Sequence, residues 1–313
     1  MVMSMFAVNI NYKGNLAWIR LEAIDEIHVT EVLMEGLKKA GHETDKVEVL
    51  KVQKVSKYIK PVWTDIQTIC LTVRPCSWRK CCFCGFEKGT DLTTTALNVW
   101  EQLDDYKIKY GGFPPWFKIF NSGSFFDFEQ LQVSWKDIVK YLKQNGVEKL
   151  RVESRPEFIP DEKPEIEMEV CIGLETVFPN RSKEINKGFN FEKVKEVVSK
   201  NDNFKYVIYI LAKPYVSDNE TAKKEFEESI KLSLSLPNVI QVHAMYCRPA
   251  KGTKLNELWN EGKWLGIPLS DYYEVCKRYA KKYPVGAIVP FFTYDRAMPW
   301  FCKPPKKKIK GGK

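Results

Sequence analysis

The chain has 313 residues, 44% hydrophobic and 13% aromatic, which is ordinary globular composition with room for a sizeable core. No apolar run approaches the ~18 residues that span a bilayer. The opening MVMSMFAVNINYKG lacks the basic and apolar regions of a secretory leader, so a cytoplasmic address without a membrane is expected. The net charge of +9 is unevenly spread, because the stretch KPPKKKIKGGK at 303–313 holds six lysines and no acid.

In chain order, residues 1–60 read as an N-terminal appendage with a helix over Ile24–Ala40 and a strand over Val47–Val52. Residues 61–250 carry six short apolar runs rich in Val, Ile and aromatics, the pattern of strands buried on both faces. These runs are Gln67–Arg74, Trp116–Phe120, Lys149–Glu153, Met168–Leu174, Tyr206–Leu211 and Ile240–Tyr246. Helical spacing falls between them at Thr93–Lys109, Trp135–Gln144, Phe191–Lys200 and Asn219–Leu234, with Ser134 and Asp218 as N-caps. The connector Arg155–Glu167 holds Pro156, Pro160 and Pro164 and leaves little room for a helix.

Strands alternating with connectors imply a parallel sheet with right-handed crossovers. Six strands are too few for a closed eight-stranded barrel, so the expected fold is α/β, a partial (β/α)6 TIM-like barrel with N- and C-terminal extensions. Residues 251–302 form the C-terminal extension covering the barrel, with helices at Leu255–Gly262 and Ser270–Tyr283 and a strand near Ala287–Phe292. The basic segment 303–313 reads either as a solubilising flexible tail or as a non-specific phosphate anchor; charge alone leaves the two level.

The stretch CSWRKCCFCG, residues 76–85, concentrates four cysteines directly after the first barrel strand. Loops at the carboxyl ends of parallel barrel strands are where active sites sit. Cys76, Cys81 and Cys84 have the spacing C-x4-C-x2-C. Zinc would take four tetrahedral ligands, but Cys81 and Cys82 are adjacent, and adjacent side chains rarely converge on one small ion. A disulfide is disfavoured in the cytosol. A [4Fe–4S] cluster on three cysteines would leave one iron open to a ligand, with Cys82 and Cys70 as bystanders. Spacing keeps the cluster, zinc and a structural role all open. Cys171, Cys247, Cys276 and Cys302 are scattered, and His28, His42 and His243 show no metal spacing.

A three-cysteine loop after the first strand, with Phe83 just before the last cysteine, resembles the radical S-adenosylmethionine (SAM) enzymes. The usual spacing there is C-x3-C-x2-C, and this loop is one residue longer. The broader branch is similar to the Elongator catalytic subunit and the oxygen-independent coproporphyrinogen oxidases. KIFNSGSFFD (118–127), VESRPEFI (152–159), IGLET (172–176), INKG (185–188) and AKP (212–214) resemble, in order and placement, the radical-SAM subunit of archaeosine synthase. The likeness covers roughly residues 62–260.

The resemblance implies a radical SAM barrel with a [4Fe–4S] cluster on Cys76, Cys81 and Cys84, and SAM held by Phe83, Ser122, Gly123, Ser124, Glu153, Arg155 and Glu175. On residue chemistry alone, Ser122–Ser124 reads first as a tight turn, and Glu153 with Arg155 as a mutual ion pair. Glu175, Lys187 and Lys213 are the candidates for substrate contact or catalysis; as residues, they are equally strand-end or surface charges. The implied reaction is carbon–nitrogen cleavage of a lysine-adducted 7-deazaguanine in tRNA, giving archaeosine through a 5′-deoxyadenosyl radical. Implied partners are tRNA, a subunit that attaches the lysine, and an electron donor such as ferredoxin or flavodoxin. Two other readings stand beside it: an Elongator-like or coproporphyrinogen-oxidase-like enzyme with another substrate, and a zinc-binding nucleic-acid module without redox chemistry.

Overall fold

The computed structural model describes residues 4–23, 26–54 and 59–291. The chain opens with a hairpin of β1 (Ser4–Tyr12) and β2 (Asn15–Ala23). Its turn residues Lys13 and Gly14 have φ of 52° and 83°, the two positive values of a type I′ turn. Helix α1 (Glu26–Lys39) follows, and β3 (Val47–Lys54) pairs antiparallel with the other side of β1. Phe6, Val8 and Ile10 alternate along β1 and pack against Val29 and Leu33 of α1. The sequence reading found α1 and β3 but left the hairpin unassigned, since Lys-Gly is not the usual Asn-Gly turn signal.

A second sheet holds eight strands: β4 (Trp63–Asp65), β5 (Thr68–Cys70), β6 (Trp116–Phe120), β7 (Lys149–Glu153), β8 (Glu167–Glu175), β9 (Lys205–Ala212), β10 (Val239–Tyr246) and β11 (Ile288–Phe291). They lie side by side in chain order, and the two outer strands, β4 and β11, do not pair with each other. Strands β5 to β11 run parallel and β4 runs antiparallel to β5. The parallel run therefore has one strand more than the six expected, because β11 docks on β10, with Ile288 opposite Val242. The first expected strand, 67–74, is ladder-paired only over Thr68–Cys70. Beyond it the Leu71 N–H still reaches the Phe120 carbonyl at 2.7 Å, and the Arg74 N–H turns away to Gln130.

Helices α2 (Ala96–Tyr110), α3 (Phe128–Leu131), α4 (Trp135–Gln144), α5 (Pro179–Glu184), α6 (Phe191–Lys200) and α7 (Asn219–Leu234) occupy the crossovers, and α8 (Lys254–Asn260) and α9 (Leu269–Lys282) lie between β10 and β11. Helix α2 starts three residues later than its apolar spacing suggested, because Thr95 and Asn98 form a capping box. Asp218 caps α7 by accepting from the Thr221 N–H at 2.8 Å, whereas Ser134 precedes α4 without a side-chain cap bond. The proline-rich connector forms only a single 3₁₀ turn, Pro156–Phe158.

Apolar residues at alternate strand positions, among them Ile119, Val152, Val170 and Ile208, join Leu103, Leu142, Val194 and Phe226 of the covering helices in one buried core. Each such side chain contributes about 1.5–3 kcal/mol on leaving water. The opposite face is polar: register sets Lys118 beside Arg151 and Arg151 beside Glu169. Arg151 Nε bonds Glu169 at 2.6 Å. No helix among the described residues is long and apolar enough to cross a membrane. The segment 303–313 lies outside the described residues.

Candidate functional site

The residues singled out by sequence lie at the carboxyl ends of β5 to β9 or in the connections that follow them; Lys187 alone lies past a helix, between α5 and α6. The cysteine loop follows β5. Its Cys82 N–H donates to the Ile185 carbonyl at 3.0 Å, and its Cys82 carbonyl accepts from the Leu255 N–H at 3.0 Å, so main chain holds the loop on both sides. A further turn bond runs from the Cys84 N–H to the Cys81 carbonyl at 3.3 Å. The four thiols are free and half-buried. Cys76 lies within charge reach of Cys81 and Cys84, and Cys81 within charge reach of Cys84 and of its neighbour Cys82. Burial pushes the Cys84 thiol up to about 12, with Cys81 adding to it. Burial also raises Cys81, against the opposing pull of Lys187 and Arg155. Phe83 packs against Cys247, Leu255 and Trp264.

After β6 the chain enters Ser122 with φ 57°, a left-handed conformation that a non-glycine residue rarely adopts. The Ser122 hydroxyl bonds the Cys70 thiol. Gly123 is required by its neighbour: a Cβ there would lie 2.1 Å from Gln130 Nε2. The Gln130 amide accepts from the Ser124 N–H at 2.7 Å and donates to the Asn121 carbonyl at 3.3 Å. Ser124 Oγ in turn accepts from the Arg155 N–H at 3.1 Å, which ties the β6 end to the β7 end. The Asn121 side chain is fully buried, and among the described residues neither its oxygen nor its nitrogen has a hydrogen-bond partner.

Glu153 closes β7. Burial pushes its carboxyl up to about 7, and the nearby Glu175 adds to the shift while Tyr209 and Lys187 oppose it. Arg155 is more enclosed than a free anion-binding fork. Its Nε meets Glu157 at 2.5 Å and its Nη1 donates to the Lys187 carbonyl at 3.1 Å. Its guanidinium lies 5.1 Å from the Trp78 ring and 4.9 Å from the Phe189 ring.

Strand β8 carries a bulge: Gly173 is opposite Tyr209 but Glu175 is opposite Ile210. Bulges re-aim side chains at strand ends, and here Glu175, with φ 70°, turns to meet Lys187 Nζ at 2.7 Å. Gly173 makes room for that pair, since a Cβ would fall 2.6 Å from Glu175 Oε1 and 3.1 Å from Lys187 Nζ. Burial pulls Lys187 down, but the charges of Glu175 and Cys81 more than offset it and hold the ammonium above its ordinary value. At the end of β9, Lys213 has φ 59° and donates from Nζ to Asn219 Oδ1 at 2.7 Å. Burial holds it below its usual value, with Asp218 opposing.

The sequence reading missed Trp78, Gln130, Phe189 and Tyr209. Tyr209 alone carried a signal, as an aromatic polar residue in the apolar run of β9. The others are defined only by tertiary contact.

No protein-family model matches the chain, and no curated protein matches it in sequence. Among solved structures it is similar to Elp3 of the archaeon Methanocaldococcus infernus with an N-terminal deletion, at 16% identity over 73% of this chain and a TM-score of 0.48. The chain spans 57% of the length of that protein. It is also similar to a queuine lyase from Clostridium spiroforme bound to SAM and queuine, at 22% identity and a TM-score of 0.43, covering 65% of this chain and 92% of that one.

The thiol set can be tested against the two metal chemistries that spacing leaves open. Among the described residues no three Cys, His, Asp or Glu side chains are placed to hold one metal ion. A single zinc requires such convergence. A [4Fe–4S] cluster would take one thiolate per iron, so its three thiols would face a common cube instead of a common ion. The Lys187 ammonium and the Arg155 guanidinium lie within charge reach of Cys81 and favour its thiolate.

Proposed function

We propose that the protein is a radical SAM enzyme acting on tRNA, built on a partial (β/α)6 barrel. The observation that carries the reading is the grouping, at the ends of β5, β6 and β8 and in the connections after them, of the Cys76, Cys81 and Cys84 thiols within charge reach of one another, the strained Ser122, and a buried Glu175–Lys187 pair within charge reach of Cys81. Strained non-glycine residues gather where function holds them, and parallel sheets bind ligands at strand carboxyl ends.

Cys76, Cys81 and Cys84 would hold the cluster. When bound, cluster and SAM together supply a 5′-deoxyadenosyl radical able to abstract a substrate hydrogen atom. The chain's own residues bind, orient and exclude water. Ser122 and the Ser124 turn line the β6 end, and the orphaned Asn121 side chain beside them lacks the partners a buried amide needs. Glu153 and Glu175 offer acceptors for hydroxyl or amino groups. Arg155, clasped by Glu157, Trp78 and Phe189, steadies this wall and presents its guanidinium from a fixed position. Lys187 and Lys213 supply positive charge at the mouth.

The substrate we assign is a lysine-adducted 7-deazaguanine in tRNA, cleaved at the carbon–nitrogen bond to give archaeosine. Of the sequence segments that resemble the archaeosine synthase subunit, 118–127, 152–159, 172–176 and 212–214 cover strand ends, and 185–188 lies in the α5–α6 connection that brings Lys187 to Glu175. A partner that attaches the lysine and a ferredoxin or flavodoxin as reductant belong to the same proposal. The test is mass spectrometry of tRNA nucleosides after anaerobic incubation with reductant, SAM and lysine-modified tRNA. Archaeosine together with 5′-deoxyadenosine is expected. 5′-Deoxyadenosine without archaeosine points to another substrate, and neither product refutes the reading.

A further inference from the structure

The cysteine loop is one residue longer than the common radical SAM spacing, and the structure shows where the extra length goes. Between Cys76 and Cys81 run Ser77, Trp78, Arg79 and Lys80. The first two are anchors. Ser77 Oγ donates to Asp127, the N-cap of α3. Trp78 Nε1 donates to the Asn186 carbonyl at 2.7 Å, and its ring abuts Gly188, where a Cβ would fall 2.5 Å from ring carbons. The other two residues are exposed cations. Arg79 has φ 47°, a left-handed conformation that glycine or asparagine would adopt at less cost. Lys80 Nζ lies over the Trp78 ring at 5.0 Å.

An arginine held against its backbone preference at an exposed tip is not explained by stability. Among the described residues, no carboxylate lies within ion-pair distance of Arg79 or Lys80. Beside Arg79 opens a shallow cavity of about 500 Å³ lined also by Glu87, Lys88, Thr90 and Asp91. The Asp91 carboxylate is engaged by the Thr93 N–H at 2.9 Å and the Thr93 hydroxyl at 2.6 Å. Lys88 Nζ is tied to the Lys251 carbonyl. Arg79 and Lys80 thus stand as exposed cations, without an ion-pair partner among the described residues, on a loop that Ser77 and Trp78 anchor beside the thiols.

We propose that the tip of the cysteine loop, Arg79 with Lys80, is an RNA-backbone contact that grips phosphates flanking the nucleotide entering the site. The inference rests on the tRNA reading above and deepens it. Arginine suits a phosphodiester because its planar fork can bond two oxygens. Lys80, braced on Trp78, adds a second point charge. Because the loop also carries the thiols, gripping RNA there fixes the distance between substrate and cluster site.

The test is fluorescence anisotropy of an end-labelled tRNA transcript with the reconstituted protein, titrated between 50 and 400 mM KCl. Each neutralised phosphate contributes about −0.7 to −0.9 to the slope of log affinity against log salt. Removing both cations in R79A/K80A should make the slope less negative by about 1.4 to 1.8. Arg79→Gly should lose about half of that change although it relaxes the backbone, and Arg79→Lys should keep the wild-type slope. Iron content and SAM binding are measured alongside and should match wild type. An unchanged slope in R79A/K80A while wild type binds tRNA overturns the loop contact alone. So does a loss of affinity that tracks loss of iron, since the loop would then matter only for the thiols. Wild type that fails to bind tRNA at all overturns the tRNA reading and this contact with it. Inorganic phosphate as competitor separates sources: displacement of tRNA at equal ionic strength by phosphate but not by chloride would make the tip a free-anion site and overturn the RNA contact.

Discussion

Lys187→Met should reveal what the buried pair at the β8 end contributes. In the native protein Lys187 Nζ is 2.7 Å from Glu175 Oε1, and the two side chains are only 11% and 8% exposed. Water and salt therefore cannot take the partner's place. Removing the ammonium strands the Glu175 carboxylate beside Gly173 and the Cys81 thiol. Breaking a buried pair by deleting one member typically costs about 3–5 kcal/mol. At roughly 1.5 °C per kcal/mol for a chain of this length, the melting temperature of the metal-free protein should fall by about 5–8 °C. Glu175→Gln combined with Lys187→Met removes both charges and should return to within about 1–2 kcal/mol of wild type, since an uncharged replacement of the pair is often neutral. Urea unfolding and scanning calorimetry of wild type, both single variants and the double variant complete the cycle. A single variant within about 0.5 kcal/mol of wild type, or a double variant as weak as the worse single, would refute the argument.

Gly123→Ala should displace the Gln130 amide and cost about 2–3 kcal/mol through its two buried bonds; urea unfolding checks it, and Gln130→Ala in the same chain should recover part of the loss. Glu153 has a carboxyl raised from 4.5 to about 7 in the fold, so the folded state binds the extra proton. Its contribution to stability is complete below about pH 4.5 and is lost as pH rises through about 7, a change of up to about 3 kcal/mol. Glu153→Gln should flatten that part of the stability profile, and an unaltered profile would exclude Glu153 as its source. Replacing Cys76, Cys81 or Cys84 by alanine should lower the iron bound after anaerobic reconstitution, and Cys82→Ala should not. Equal loss at Cys82 would overturn the ligand assignment.

The parts of this molecule visible in the sequence are those with local causes. The helices α4, α6 and α7 were read to the residue because each has apolar residues three and four apart. For α7, the Asp218 cap also marks the start. The parallel strands were legible as apolar runs, and the loop cysteines by their crowding. What stayed hidden depends on partners distant in sequence. Nothing in YKGN marks a hairpin as plainly as Asn-Gly would. The strand near residue 287 could not be assigned to the sheet until Val242 was seen opposite Ile288. Arg155 was legible as a strand-end arginine. Its clasp was not, because Trp78 and Phe189 come from loops dozens of residues away on either side. The reason for Gly123 likewise lies in Gln130, which carries no motif.

Ser122, Glu175 and Lys213 stand at the ends of β6, β8 and β9 in left-handed backbone, and this bears on how the protein would respond to laboratory selection. A non-glycine residue in that conformation costs about 1–2 kcal/mol relative to glycine. Ser122→Gly would give up one hydroxyl contact to Cys70 and release that strain. A screen for heat resistance alone would therefore drift toward glycine at 122, releasing strain at the β6 end, while the Glu175–Lys187 pair would persist because either single replacement is costly. Thermostable variants obtained without an activity screen should be sequenced first at these strand ends.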